Sequence, residues 1–103
     1  MQYTIALVGL NHRTAPVEIR ERFALSETTP ADLDDLQDDG SIREIMLLST
    51  CNRVEVLAVS AQGQNPAEQI IQAWEHACGA EPGTLAGYTY VHSDLQAVRH
   101  VFR

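Results

Sequence analysis

Apolar and polar positions alternate along this chain with two different periods, and each period predicts one kind of element. An almost continuous apolar run of strand length covers residues 3–10, two further strand patterns cover roughly 42–50 and 54–60, and a shorter one lies at 88–91. Polar residues and turn formers separate these runs. We therefore predict four strands, of which the middle two form a hairpin with the polar stretch Ser-Thr-Cys-Asn-Arg at its tip.

Apolar residues at helical spacing fill the intervals between the predicted strands. A proline or a capping residue opens the helices, and glycine ends the second and third of them. The predicted helices cover residues 16–24, 30–40, 67–78 and 94–103. A βαββαβ order with an antiparallel sheet and helices mainly on one face predicts an α+β fold, a sandwich of the ferredoxin-like type.

Length and composition limit what the chain can be. With 103 residues it is large enough for one domain and too small to hold a nucleotide-binding domain as well, so residues 1–103 are treated as a single domain. No apolar run approaches the roughly 20 residues of a membrane span, and Met1 precedes a strand pattern rather than a basic leader. We therefore expect a cytoplasmic domain without a membrane segment.

The charge is negative and unevenly distributed. The net charge is -7, and all seven basic residues are arginine. The negative net charge argues against a broad nucleic-acid clamp, because phosphate binding needs clustered cations. Five aspartates crowd into residues 32–39. We interpret this cluster as a solvated helix face rather than a metal site. The two cysteines lack metal-ligand spacing, so neither a zinc site nor a disulfide is expected.

Cys51 is the candidate for chemistry, because it lies in the predicted hairpin tip beside Arg53. A thiol is nucleophilic as the thiolate, which a nearby guanidinium and the donors of a tight turn favour. Arg53 has a second possible role, a two-pronged grip on a substrate carboxylate. The alternative for Cys51 is a small buried hydrophobe. Cys78 and Trp74 share one apolar helical stripe, which predicts that both belong to the core.

Two histidines have positions that leave their roles open. In the last predicted helix, His100 lies roughly opposite the apolar stripe of Leu95, Val98 and Phe102, so it is either a surface residue or a polar group facing a site. His12 follows the first strand in a polar loop, where it either bonds the backbone or lines a pocket.

Three segments of the chain resemble glutamyl-tRNA reductase. The segments are STCNRVE at 49–55, GLNHRTAPVEIRE at 9–21 and, more weakly, LQAVRHVFR at 95–103. The resemblance implies that Cys51 attacks glutamyl-tRNA to form a thioester, which NADPH reduces to glutamate-1-semialdehyde at the start of tetrapyrrole biosynthesis. It also implies that His100 is an active-site residue and a possible proton donor. The implied substrate-binding residues are Thr50, Arg53, His12 and Arg13.

The resemblance also implies parts and partners that lie outside this chain. No glycine-rich dinucleotide fingerprint occurs in the 103 residues, so NADPH is expected to bind to a separate domain, and a dimerising helical region is likewise expected elsewhere. The implied partners are glutamyl-tRNA, a second subunit and glutamate-1-semialdehyde aminomutase. Two alternatives from other classes are a noncatalytic ligand-binding module and a cysteine hydrolase that uses Cys51 and His100.

Overall fold

Within the part of the chain that the structure describes, the fold combines one four-stranded sheet with four helices. The computed structural model describes residues 3–25, 31–38, 42–50, 52–61 and 66–101. The strands are β1 (Tyr3–Asn11), β2 (Glu44–Ser49), β3 (Arg53–Ala61) and β4 (Tyr90–Ser93). The helices are α1 (Val17–Arg22), α2 (Ala31–Asp38), α3 (Pro66–Ala77) and α4 (Asp94–Val101).

The sheet has the strand order β2-β3-β1-β4, and every neighbouring pair is antiparallel. The strand β1 is therefore paired on both sides. Within it, Gly9 lies opposite Glu55 of β3 and opposite Tyr90 of β4. The predicted α+β class with an antiparallel sheet is confirmed.

One face of the sheet carries the apolar core. Successive strand residues point to opposite faces, and the residues of β1 and β3 that join the buried cluster alternate in this way. The helix α3 packs on this face through Ile70 and Trp74, both of which are fully buried. The indole of Trp74 donates a hydrogen bond of 3.0 Å to the carbonyl oxygen of Phe23, so its polar atom is satisfied inside the core.

The helix α4 lies on the other face of the sheet. The side of the helix that faces the sheet is not the side that carries its larger apolar residues. Its buried residue is Ala97, whereas Leu95 and Val98 are 60% and 38% exposed. The apolar stripe of Leu95 and Val98 is therefore not the side of α4 that packs on the sheet, and Phe102 lies outside the described residues. The small side chain of Ala97 allows the helix to lie close to the sheet, and His100, one turn further on, reaches β3.

The last strand begins later than predicted for a local reason, whereas the last helix begins where it was predicted. Residues 82–88 form consecutive turns, and the Tyr88 amide donates to the carbonyl oxygen of Leu85, so the last strand begins at Tyr90 instead of Tyr88. Asp94 begins α4 with a φ of 50°, and its carboxylate accepts a hydrogen bond of 3.0 Å from the amide of Ile5 in β1. Asp94 thus fastens the start of α4 to the sheet.

The helix α1 ends at Arg22 and is shorter than the predicted 16–24, whereas the predicted glycine stop after α3 and the exposed position of Asp34 and Asp35 agree with the structure. The helix α3 ends at Ala77, and Gly79 follows it with a φ of 67° in the left-handed region that favours glycine. Asp34 and Asp35 of the aspartate cluster are exposed on α2, while Leu33 is buried beneath them. Within the described residues, no helix is long and apolar enough to cross a membrane.

Candidate active site

The turn between β2 and β3 is held by Thr50. Its amide donates to the carbonyl oxygen of Arg53 at 2.8 Å, and its Oγ1 accepts from the amides of Asn52 and Arg53 at 3.3 and 3.2 Å. A threonine side chain that satisfies the amides two and three residues ahead fixes a tight turn. Cys51 itself lies outside the described residues. The antiparallel pairing of β2 with β3, in which Ser49 lies opposite Val54, confirms the predicted hairpin.

The loop after β1 lies beside this turn. The amide of His12 donates to the carbonyl oxygen of Asn52 at 3.1 Å, which ties the two segments together. Asn11 organises the loop, because its Oδ1 accepts from the amides of Arg13 and Thr14 at 2.9 and 3.1 Å. His12 and Arg13 are exposed. The structure therefore brings the loop of both predicted pocket residues next to the hairpin turn.

Arg53 connects the turn to the sheet face that carries α4. Its side chain is 39% exposed, and its Nε lies 3.7 Å from Oε1 of Glu55, two residues further along the same face of β3. Thr50 and Arg53 also line a cavity of about 230 Å³ against α1, together with Arg20 and Glu21. His12 and Arg13 are not among the described residues that line this cavity.

A buried carboxylate is the centre of the second half of the site. The side chain of Glu55 is only 1% exposed, and its Oε2 accepts a hydrogen bond of 2.6 Å from the hydroxyl of Tyr90. The same oxygen lies 2.5 Å from Nε2 of His100. A buried carboxylate is costly unless it is hydrogen-bonded and paired with positive charge. Tyr90, His100 and Arg53 supply those interactions, and we call these four residues the carboxylate cluster.

His100 occupies a more specific position than a surface residue would. Its side chain is 15% exposed and packs against aromatic rings, with ring centroids 4.5 Å from His92 and 5.4 Å from Tyr90. It also lines a surface cavity of about 320 Å³ together with His92, Gln96 and Arg99. The imidazole is therefore held on one side by Glu55 and remains accessible on another.

Gly9 makes room for the carboxylate cluster. A Cβ atom at this position would lie 2.8 Å from Cγ of Glu55 and 2.8 Å from the hydroxyl oxygen of Tyr90. Real Cβ atoms essentially never approach other heavy atoms this closely. Because Gly9 faces Glu55 on one side and Tyr90 on the other, its missing side chain lets these two residues meet across β1.

Among the described residues, Tyr90 and Cys78 have surroundings that raise their pKa. Burial raises the pKa of Tyr90, and the hydrogen bond and negative charge of Glu55 raise it further, against a smaller opposing effect of Arg53. The hydroxyl therefore stays protonated and acts as a donor to Glu55. Burial also raises the pKa of the Cys78 thiol, which Arg22 partly offsets. Cys78 packs against the core, as predicted, although it is only partly buried.

The sequence pattern did not indicate Glu55, Tyr90 or Gly9 as site residues. One signal was present, because Glu55 is a charged residue between two valines in a run that otherwise predicts a buried strand. An acid in that position has to face water or a partner. Among the described residues, no group of three or more His, Cys, Asp and Glu side chains is placed to hold a metal ion.

Comparison with known proteins gives one consistent result. The family model described as "Glutamyl-tRNAGlu reductase, N-terminal domain" matches residues 8–103. Curated proteins named glutamyl-tRNA reductase from Solidesulfovibrio magneticus, Nitratidesulfovibrio vulgaris and Stenotrophomonas maltophilia are 47%, 45% and 48% identical over 99%, 100% and 97% of this chain. The chain covers 22%, 23% and 22% of these relatives, so it spans less than a quarter of their length.

A solved structure agrees with the sequence comparisons. The glutamyl-tRNA reductase from Methanopyrus kandleri aligns with a TM-score of 0.65 and 27% identity, covering 96% of this chain and 21% of that one. The structural match therefore extends over nearly the whole domain.

Proposed function

This chain belongs to the family of glutamyl-tRNA reductase N-terminal domains, and from that premise we propose that it is the acyl-transfer domain of a reductase acting on glutamyl-tRNA. The complete enzyme would convert glutamyl-tRNA to glutamate-1-semialdehyde, the first step of tetrapyrrole biosynthesis. The observation that carries the proposal is the carboxylate cluster. In this cluster Arg53 of β3 and His100 of α4 both contact Glu55, which lies two residues beyond the turn segment from Ser49 to Arg53 that contains Cys51.

In the proposed reaction, the thiol of Cys51 gives its proton to His100 and attacks the acyl carbon of the glutamyl ester. A carbon–sulfur bond forms as the ester carbon–oxygen bond breaks. The ribose oxygen that leaves with the tRNA takes the proton back from His100, which thus serves first as base and then as acid. The products are a glutamyl thioester on Cys51 and free tRNA.

Arg53 is the proposed anchor for the carboxylate of the glutamyl group. A guanidinium has five N–H donors, so its ion pair with Glu55 leaves capacity for a two-pronged contact. Its partial exposure gives a substrate access to it. Thr50 contributes by fixing the turn and the start of β3. His12 and Arg13 are proposed to complete the pocket from the adjoining loop, on the strength of the hydrogen bond between His12 and Asn52.

The reduction step does not fit the residues of this chain. A nicotinamide dinucleotide site typically uses a glycine-rich turn after a strand of a parallel sheet. The 103 residues contain no such fingerprint, and the sheet is antiparallel throughout the described strands. We therefore assign the binding of NADPH to another part of the enzyme, and this domain to the covalent step alone.

The same proposal includes several properties of the complete enzyme. It would act in the cytoplasm as a homodimer and pass its reactive aldehyde to glutamate-1-semialdehyde aminomutase. For the domain itself we propose the ferredoxin-like topology, which is supported by the order β2-β3-β1-β4 with antiparallel neighbours.

Intact-mass measurement after incubation with glutamyl-tRNA tests the acyl transfer. We expect a glutamyl adduct on this chain that hydroxylamine removes, and no aldehyde even when NADPH is added. Cys51→Ser should abolish the thioester, whereas the control Cys78→Ser should retain it. Absence of the adduct at high substrate concentration would contradict the proposal and favour a noncatalytic binding module. Aldehyde formation would contradict the assignment of NADPH to another domain.

Arg53→Lys tests the substrate grip. Lysine keeps the charge but loses the planar fork, so adduct formation should slow by about tenfold or more while stability changes by less than about 1 kcal/mol. Arg43→Lys is the matched control, because Arg43 is also exposed but stacks on Tyr3. Equal rates for the two variants would remove Arg53 from the substrate site.

A further inference from the structure

Three side chains from three separate elements converge on Glu55. The hydroxyl of Tyr90 and Nε2 of His100 both lie within hydrogen-bond distance of Oε2, and Nε of Arg53 lies beside Oε1. Oε1 is buried and accepts no hydrogen bond in the described part of the chain. Oε2 thus has two neighbouring donors, and Oε1 has a cation beside it. These neighbours suit an ionised carboxylate, which only accepts hydrogen bonds.

This geometry has a consequence for the imidazole. If the carboxylate accepts at Oε2, the ring nitrogen that faces it must carry a hydrogen atom. A neutral His100 then has its proton on Nε2, and Nδ1 is the nitrogen that can accept a proton from any other group. Which nitrogen of a histidine is protonated is set by the hydrogen bond that the other one makes.

We propose that Glu55 is the positioning residue of His100: it holds the neutral imidazole in the Nε2–H tautomer and so makes Nδ1 the nitrogen that exchanges protons with the reacting groups. Tyr90 supports this arrangement by occupying the same carboxylate oxygen from β4, and Gly9 supports it by leaving space beneath both side chains. The part that concerns reacting groups rests on the proposed function, whereas the tautomer assignment does not.

The primary test is nuclear magnetic resonance of the histidine side chains in ¹⁵N-labelled protein. Long-range proton–nitrogen correlations distinguish the two tautomers, a pH series identifies the neutral ring, and His100→Gln assigns the signal. We expect the Nε2–H tautomer for His100 in the parent protein. In Glu55→Gln the carboxamide can both donate and accept, so we expect a mixture of tautomers. The Nδ1–H tautomer in the parent protein would overturn the proposal, and so would an unchanged Nε2–H tautomer in Glu55→Gln.

Glu75→Gln is the matched control for that variant. Glu75 is another buried glutamate, 2% exposed, and its Oε2 accepts from the backbone amide of Leu85 rather than from a histidine. We expect it to lower stability without changing the tautomer of His100. If Glu55→Gln fails to fold, the measurement on the parent protein still decides the assignment, and Tyr90→Phe provides a second perturbation that keeps the carboxylate.

The rate of acyl transfer tests the catalytic part of the proposal. Glu55→Gln should slow formation of the Cys51 adduct by at least about tenfold relative to Glu75→Gln at equal folded fraction. An equal rate would overturn the catalytic part of the proposal. If the parent protein forms no adduct, the proposed function fails on its own, while the tautomer measurement still decides the role of Glu55.

Discussion

Replacing Gly9 by alanine is the sharpest test of how the carboxylate cluster is built. The new Cβ would lie 2.8 Å from Cγ of Glu55 and from the hydroxyl oxygen of Tyr90, so one of the two must move. Glu55 is fully buried and has little freedom, which leaves the ring of Tyr90 to be displaced. The variant therefore challenges both packing and the hydrogen bond between these residues.

The expected magnitude follows from three contributions. Overpacking costs about 1–3 kcal/mol. Loss of the hydrogen bond to the charged Glu55 costs about 1.5–3 kcal/mol, and the lower chain entropy of alanine returns about 0.5–1 kcal/mol. The net loss is about 2–5 kcal/mol, which corresponds to a fall in melting temperature of at least about 8 °C for a domain of this size.

Urea denaturation measures this loss, with Gly87→Ala as the control. A Cβ at Gly87 meets nothing within 4 Å, and its backbone is outside the left-handed region, so that variant should stay within about 0.5 kcal/mol of the parent. The midpoint should fall for Gly9→Ala while the slope stays constant. Equal midpoints for the two variants would refute the argument that Gly9 is required by Glu55 and Tyr90.

Three further outcomes are expected. Because the native pKa of Tyr90 is raised, the native state keeps a proton that the unfolded state releases above about pH 10. The stability advantage of the parent over Tyr90→Phe should therefore shrink as the pH rises above about 10. A stability difference that stays constant with pH would contradict this prediction. Brief iodoacetamide treatment followed by peptide mapping should label Cys51 well before Cys78, whose thiol pKa is raised by burial; equal labelling would count against this. Trp74→Phe should cost about 1–3 kcal/mol in urea denaturation because the carbonyl of Phe23 loses its donor, and an unchanged midpoint would show that the bond contributes little.

The sequence pattern predicts the elements well because they depend on neighbouring residues. The helix α3 has a proline at its start, an apolar stripe and Gly79 behind it, and each of these signals is local. The side of α4 that faces the sheet depends instead on which side chains the sheet carries on that face. That face carries Glu55 and Tyr90, and the helix therefore approaches it with Ala97 and His100.

The same distinction between local and distant residues applies to the candidate site. The turn around Thr50 and Arg53 was predictable because its residues are adjacent in the chain. Two partners of Glu55, Tyr90 and His100, are 35 and 45 residues away in sequence. Nothing in the local pattern of the chain pairs such distant residues, and only the register of β4 beside β1 brings them together.

The central place of β1 has a consequence for how the chain folds during its synthesis. Gly9 and its β4 partner Tyr90 are 81 positions apart, the difference between their residue numbers, so at about 5–20 residues per second the ribosome needs roughly 4–16 s to make the second after the first. Until then, Glu55 can be covered by neither β4 nor α4, and its carboxylate stays hydrated. Docking of the last two elements is therefore the step that removes water from this acid, and the same step delivers the donors that compensate for it.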